Sequence, residues 1–198
     1  MRAVELAFIL KTELDLNDLA KAAKDLGYAA VAVEGITKPA NIEGVALVPR
    51  LTTRDLAALK RFAGLRAYLI EGVNDLKGYP RLRRFAHIVT VTDKALRRLG
   101  PKEVEKLSNL GLPIELQLNP LIQTIIQGQW LRGLRALLLA ASADRVRLAV
   151  SSWATDPRVM RPVEVKRAFL EVFGLTQSHS FEAVITVPSD ALARVMRG

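Results

Sequence analysis

The chain contains no cysteine and only two histidines among its 198 residues. The first absence excludes disulfides, thiolate metal sites and cysteine nucleophiles together. His87 and His179 lie far apart, and neither belongs to a ligand motif. His87, just ahead of an apolar run, reads as a hydrogen-bonded structural histidine, and His179, in Gln177-Ser178-His179-Ser180, as a solvated turn residue. Neither supports a metal site. Aromatic residues make up 6% of the chain, too few for a single-strand stacking platform. The glycines at 111, 128, 133 and 174 stand alone, and no GxGxxG or GxxxxGK[ST] loop is present to cradle a nucleotide phosphate. Ser151-Ser152 lacks the glycine-flanked elbow and the His partner of a hydrolase nucleophile. No apolar run approaches the roughly twenty residues that cross a bilayer, so no membrane association is expected.

The opening MRAVELAFILKTELD has a basic residue and a short apolar stretch, but Glu5 interrupts it and no small-residue cleavage site comes after it. It fits a first core strand, and a cytoplasmic protein is expected.

What the chain has in excess is positive charge. The formal net charge is +9 and the pI about 10.2, with arginine outnumbering lysine. That balance points to a polyanionic partner, and guanidinium offers it bidentate phosphate contacts. No basic amphipathic helix with a Trp/Phe-rich face accompanies the charge, which favours nucleic acid over an anionic membrane.

Short β-branched runs alternate with longer helical patterns. Strands are expected at Val4–Leu10, Ala29–Glu34, Val45–Val48, Ala67–Glu71, Ile88–Thr92, Ile114–Leu118 and Val146–Ser151, apolar almost throughout as strands buried on both faces are. Between them, Asp15–Asp18 opens a helix carrying Leu19, Ala22, Ala23 and Leu26 and ended by Gly27. Thr52 or Thr53 can cap Asp55–Ala63, and Pro101 starts a helix stopped by Gly111. Leu131, Leu134 and Leu138 form a buried stripe with Arg132 and Arg135 turned away. Pro162 initiates Val163–Phe173. Ala183–Val187 scores as a strand by propensity, whereas Pro188-Ser189-Asp190 reads as a turn and Ala191–Met196 as a short helix. The alternation predicts one α/β domain with a parallel sheet, as a barrel or as a doubly wound sheet.

The basic residues cluster: Arg50 with Arg54; Arg81, Arg83 and Arg84; Lys94, Arg97 and Arg98; Arg132 and Arg135; Arg145 and Arg147; Arg158, Arg161, Lys166 and Arg167. Several lie just beyond expected strand ends, where one rim of an α/β barrel gathers functional groups. Tyr79 and Phe85 flank the Arg81–Arg84 cluster, and Trp153 is the best stacking candidate of the three.

The stretch Leu148–Val165, with its Ser151-Ser152 turn and its helix opened by Arg161-Pro162, resembles ribonuclease P protein component 3. This is the archaeal member of the thirty-kilodalton subunit family. Three further blocks agree in order: Leu19–Val33 with its Leu-Gly-Tyr junction, Leu47–Leu59 with its strand ending in Arg50, and Ile114–Asn119. Trp153 stands where that family has Gly, no acid occurs in Ala7–Leu10, and Ala183–Val187 replaces closing helices. The resemblance implies a TIM-barrel-like fold akin to the polymerase-and-histidinol-phosphatase superfamily, without its metal-binding histidines.

It also implies a non-catalytic subunit that binds ribonuclease P RNA and supports removal of 5′ leaders from precursor tRNA. The implied partners are component 2, in a heterotetramer, and other ribonuclease P proteins. No cofactor is expected on the protein itself, and magnesium enters through the RNA. Arg50, Ser151, Ser152 and Arg161 are the RNA-binding candidates by motif; Arg81, Arg84, Arg97 and Arg158 come next on charge. The alternatives are a metal-dependent phosphoesterase of the related superfamily and a basic scaffold protein without an RNA role.

Overall fold

The structure, a computed structural model, describes residues 2–10, 15–76, 82–129 and 132–197. Strand β1 (Ala3–Ile9) leads into α1 (Leu16–Asp25), and β2 (Tyr28–Glu34) is succeeded by the short β3 (Ala40–Ile42) and by β4 (Val45–Thr53). Next come α2 (Leu56–Arg61), β5 (Leu65–Ile70), β6 (Ile88–Val91), α3 (Asp93–Leu96) and α4 (Pro101–Ser108). After β7 (Ile114–Gln117), α5 (Leu118–Ile126), α6 (Arg132–Ser142) and β8 (Leu148–Ser151), the chain ends in α7 (Val163–Val172), α8 (Gln177–Phe181) and α9 (Val187–Arg197).

Seven strands pair in parallel in the order β1-β2-β4-β5-β6-β7-β8, while β3 pairs antiparallel with β4. Each expected strand is present within a few residues. The sheet curls until its edges almost meet, with a single bridge between Phe8 and Ala154 and a bond from Ile9 N to Ala154 O at 2.8 Å. The result is a nearly closed α/β barrel of the TIM type, which settles the choice that sequence pattern left between barrel and open sheet.

Parallel registers decide which residues look inward. Val4, Leu6, Ala30, Ala32, Val48, Leu65, Ala67, Ile88 and Ala149 form one buried cluster with Val187, Ala191 and Leu192 of α9. Helix α9 stoppers the end where the strands begin, because Arg147 pairs with Asp190 and Ser189 Oγ donates to Arg2 O. A larger cluster fills the space between β5–β8 and the outer helices, and a third lies under α1.

Ala183–Val187 is helical, a correction to the strand its β-branched residues suggest. Ala183–Thr186 belongs to a π-helical turn, Glu182–Thr186, between α8 and α9, and Val187 opens α9. Pro188 cannot donate to the carbonyl four residues back, and directly before it the Val187 N–H bonds to Glu182 O, five residues back. Ala183, Val184 and Ile185 are buried by the turn, so burial outweighs propensity. Leu131 of the expected buried stripe lies outside the described residues.

Candidate functional site

In a TIM-type barrel the strand C-termini carry the functional groups. Here that end is filled from within by a polar layer. Arg50, on β4, is 2% exposed, and each of its five N–H donors has an acceptor. Nη1 donates to Glu115 Oε1 at 2.8 Å and to the carbonyl of Leu6; Nη2 donates to Glu115 Oε2 at 2.6 Å and to Thr90 Oγ1 at 3.0 Å; Nε donates to Thr52 Oγ1 at 3.0 Å. Leu6 is available because the β1–β2 register slips between Glu5 and Phe8, and such bulges re-aim backbone groups.

Burial opposes ionisation of Glu115. The Arg50 charge and the bonds from Arg50 and Thr90 outweigh it and hold the carboxyl below its ordinary range. Glu34, which accepts from Thr52 N at 2.9 Å, is shifted the other way: burial raises it, with Arg50 only partly offsetting. Above this layer the indole of Trp153 covers the Arg50 guanidinium at 5.0 Å. Trp153 has φ 53°, a left-handed conformation that bulky residues rarely adopt and glycine takes freely.

The guanidinium of Arg50, a phosphate ligand in the sequence-based reading, is saturated and out of solvent in this structure. Ser151 and Ser152 are also fully buried. Ser151 points into the polar layer, where its hydroxyl faces the Glu115 carboxylate and helps to hold it ionised. Ser152 belongs to a second network, at the seam of the barrel. There the Glu5 carboxylate accepts from Ala7 N at 3.3 Å, Ser152 N at 3.0 Å, Ser152 Oγ at 2.5 Å and Lys166 Nζ at 2.6 Å. A side chain thus supplies bonds where β1 and β8 lack a regular ladder. Lys166 Nζ also lies 4.8 Å from the Tyr28 ring; burial first, then Glu5 and Glu164, raise the Tyr28 phenol far above its ordinary range. Glu5 is the acid that a reading of Ala7–Leu10 misses. A lone carboxylate within an apolar strand is its signal in the sequence, and Glu115 in Ile114–Leu118 gives the same signal.

Arg161 sits just outside the seam. Its backbone N–H donates to Ser152 Oγ at 2.9 Å, its carbonyl accepts from Tyr28 at 2.6 Å, and Nε donates to Asn119 Oδ1 at 2.9 Å. That bond orients the fork. Arg158 is 88% exposed in its side chain but pairs with Asp156 at 2.6 Å, which holds the Asp156 carboxyl down at about 2. Arg97 pairs with Asp93 at 3.0 Å. Arg84 is exposed, and Arg81 and Tyr79 lie outside the described residues.

The basic clusters do not converge on one rim. Arg83 and Arg84 precede β6 and Arg145 and Arg147 precede β8, at the opposite end from Arg54 and Arg161. Many cations are also neutralised where they stand: Arg54 by Glu71 and Asp75, Arg147 by Asp190, Arg167 by Glu171, Lys24 by Glu43. Phe85 packs against the main core. His87 Nδ1 accepts from Arg66 N at 3.2 Å, and burial, then Arg66 and Arg194, lowers its pKa to about 4. His179 is three-quarters buried and meets Asp144 at 3.3 Å, so it is less solvated than its polar surroundings suggest. Among the described residues no group of three or more His, Asp or Glu side chains could hold a metal ion, and no helix is long and apolar enough to cross a membrane.

The architecture is therefore that of a TIM-type α/β barrel whose mouth is closed by its own side chains. No protein-family profile matches the chain, and no curated protein does. Among solved structures, a chain in the cryo-EM structure of archaeal ribonuclease P with mature tRNA is similar, with a TM-score of 0.68 at 13% identity. The match covers 98% of this chain and 93% of that one. At that identity the likeness is one of fold. A 4-hydroxy-2-oxoglutarate aldolase is 13% identical over 96% of this chain and 93% of its own, with a TM-score of 0.26. The 7,8-dihydropteroate synthase of Vibrio fischeri is 10% identical over 100% and 94%, with a TM-score of 0.29. Both are too distant to carry an argument.

Proposed function

We propose that this chain is a protein subunit of ribonuclease P. In this reading it binds the catalytic RNA and supports removal of 5′ leaders from precursor tRNA, while magnesium ions held by the RNA carry out the hydrolysis. The observation that carries the reading is the end-to-end likeness of fold to a chain of archaeal ribonuclease P. The net charge of +9 agrees with an RNA partner. The barrel mouth supplies no reacting group in this reading, because Arg50, Glu115 and Thr90 satisfy one another there.

Contacts to RNA then come from exposed cations. Of the residues singled out by motif and charge, Arg161 and Arg84 offer guanidinium groups without a carboxylate partner among the described residues. Arg97 and Arg158 would first have to leave Asp93 and Asp156, and Arg81 completes the set. Component 2 and other ribonuclease P proteins are the proposed protein partners, with component 2 forming a heterotetramer. Reconstitution tests this: the RNA, with and without this protein and component 2, is assayed for precursor-tRNA cleavage at low magnesium. Stimulation is expected. Its absence would overturn the proposal.

A further inference from the structure

We infer that the groove between α4 and α6 is where the sugar-phosphate backbone of RNA lies on this barrel. The inference rests on the RNA-binding role proposed above and assigns it a place. The groove measures about 940 Å³ and is lined by Lys102 and Glu105 from α4, by Arg132, Arg135 and Leu139 from α6, and by Arg145 beyond the helix end. Four cations face one carboxylate.

None of the four has a carboxylate within ion-pairing distance among the described residues, in contrast to Arg54, Arg97, Arg147, Arg158 and Arg167. Their positive potential is therefore free for a ligand, and the walls of a groove concentrate it. Geometry adds to this. Arg132 and Arg135 are one helical turn apart and share a face, and the helical rise places Arg145 up to roughly 20 Å from Arg132, a span of several phosphates.

Two packing features shape the groove. Gly133 lets α6 approach the end of α3 closely: a Cβ there would lie 2.6 Å from the Leu96 carbonyl oxygen and 2.8 Å from Leu99 Cβ. Ala136 and Ala140 line the groove between the arginines, so a low floor separates long cationic side chains. A floor of small residues gives the large side chains of a partner helix few places to insert. Leu139, 60% exposed, is the one large apolar side chain the groove presents to solvent. A polyanion uses the arginines without needing apolar anchors, whereas a protein segment would need both.

The test uses the full-length protein, with a transcript of the ribonuclease P RNA from the same genome as probe and binding measured across a salt series. R132A/R135A is expected to lower the slope of log K against log salt by about two, one per phosphate contact. K38A/K60A, which removes equal charge at two exposed positions elsewhere, is expected to leave the slope near that of the parent. All four positions are exposed, and circular dichroism checks that each variant folds.

Because the chain has no cysteine of its own, S108C places a single short-range crosslinker in the groove, and RNA adducts are expected. A parent protein that binds no RNA would remove the functional proposal and this inference together. A parent that binds while R132A/R135A keeps its slope, or while K38A/K60A loses as much, would overturn the groove alone. Stronger competition by polyglutamate than by poly(U) of equal charge would assign the groove to an acidic protein segment and overturn the RNA assignment.

Discussion

Arg50 and Glu115 meet end-on inside the barrel, Nη1 to Oε1 at 2.8 Å and Nη2 to Oε2 at 2.6 Å, although their strands β4 and β7 are not neighbours in the sheet. The pair spans the lumen and ties opposite walls together.

Removing one partner leaves the other charge buried, at a cost of about 3–5 kcal/mol. Glu115→Gln and Arg50→Met are each expected to destabilise by that order in urea denaturation. Arg50→Met combined with Glu115→Leu should recover much of the loss, since an apolar pair removes both desolvation penalties. Equal losses in the double and single variants would show that a stranded charge is not what destabilises the single variants.

Acid should act in two separable windows. His87 has its pKa lowered to about 4 in the folded chain from 6.5, so the stability it contributes is complete above 6.5 and is lost as pH falls toward 4. Glu115 is held below 4.5, and its contribution disappears only as pH falls below that value. His87→Gln should flatten the upper window and Glu115→Gln the lower one, both read from urea midpoints against pH.

The barrel seam depends on Glu5. Lys166→Met leaves its carboxylate buried with only neutral donors, and Glu5→Gln strands the ammonium; each should cost about 3–5 kcal/mol. Native-state hydrogen exchange on Glu5→Gln is expected to speed up at Ser152 and Ala7, whose amides donate to Glu5. Protection unchanged at both would refute the role.

Gly133→Ala should destabilise by about 1–3 kcal/mol through the clash with the Leu96 carbonyl, because the contact is to backbone and cannot relax by a rotamer change. Thermal melting measures it, and a shift within error would mean that α6 moves freely.

Most of the barrel can be read from the sequence, because fully buried parallel strands are continuous apolar runs. The short β3, Ala40–Ile42, lacks that signal, since it pairs only with β4 and is only partly buried. Ala183–Val187 misleads because propensity is local, whereas its burial depends on the sheet being nearly closed already. The candidate site is less legible. In the sequence Arg50 reads as the end of a strand, like a ligand-binding residue, but β4 continues to Thr53, and the register with Glu34 and Leu65 sets which way its side chain turns. The neutralisation of Arg97 and Arg158 is, by contrast, visible in Asp93 and Asp156 a few residues away. The groove cations Arg132 and Arg145 gain their setting from α4, distant in the chain.

A barrel mouth locked by Arg50, Glu115 and Trp153 separates two tasks that enzymes on this architecture combine. Shape is kept by the lumen, and in the proposed RNA-binding role recognition falls to the outer helices, whose charges can be rearranged without disturbing the residues that hold the strands. Relatives built this way could exchange nearly every contact with a partner while the barrel persists, and sequence would fade as a record of descent long before the fold did.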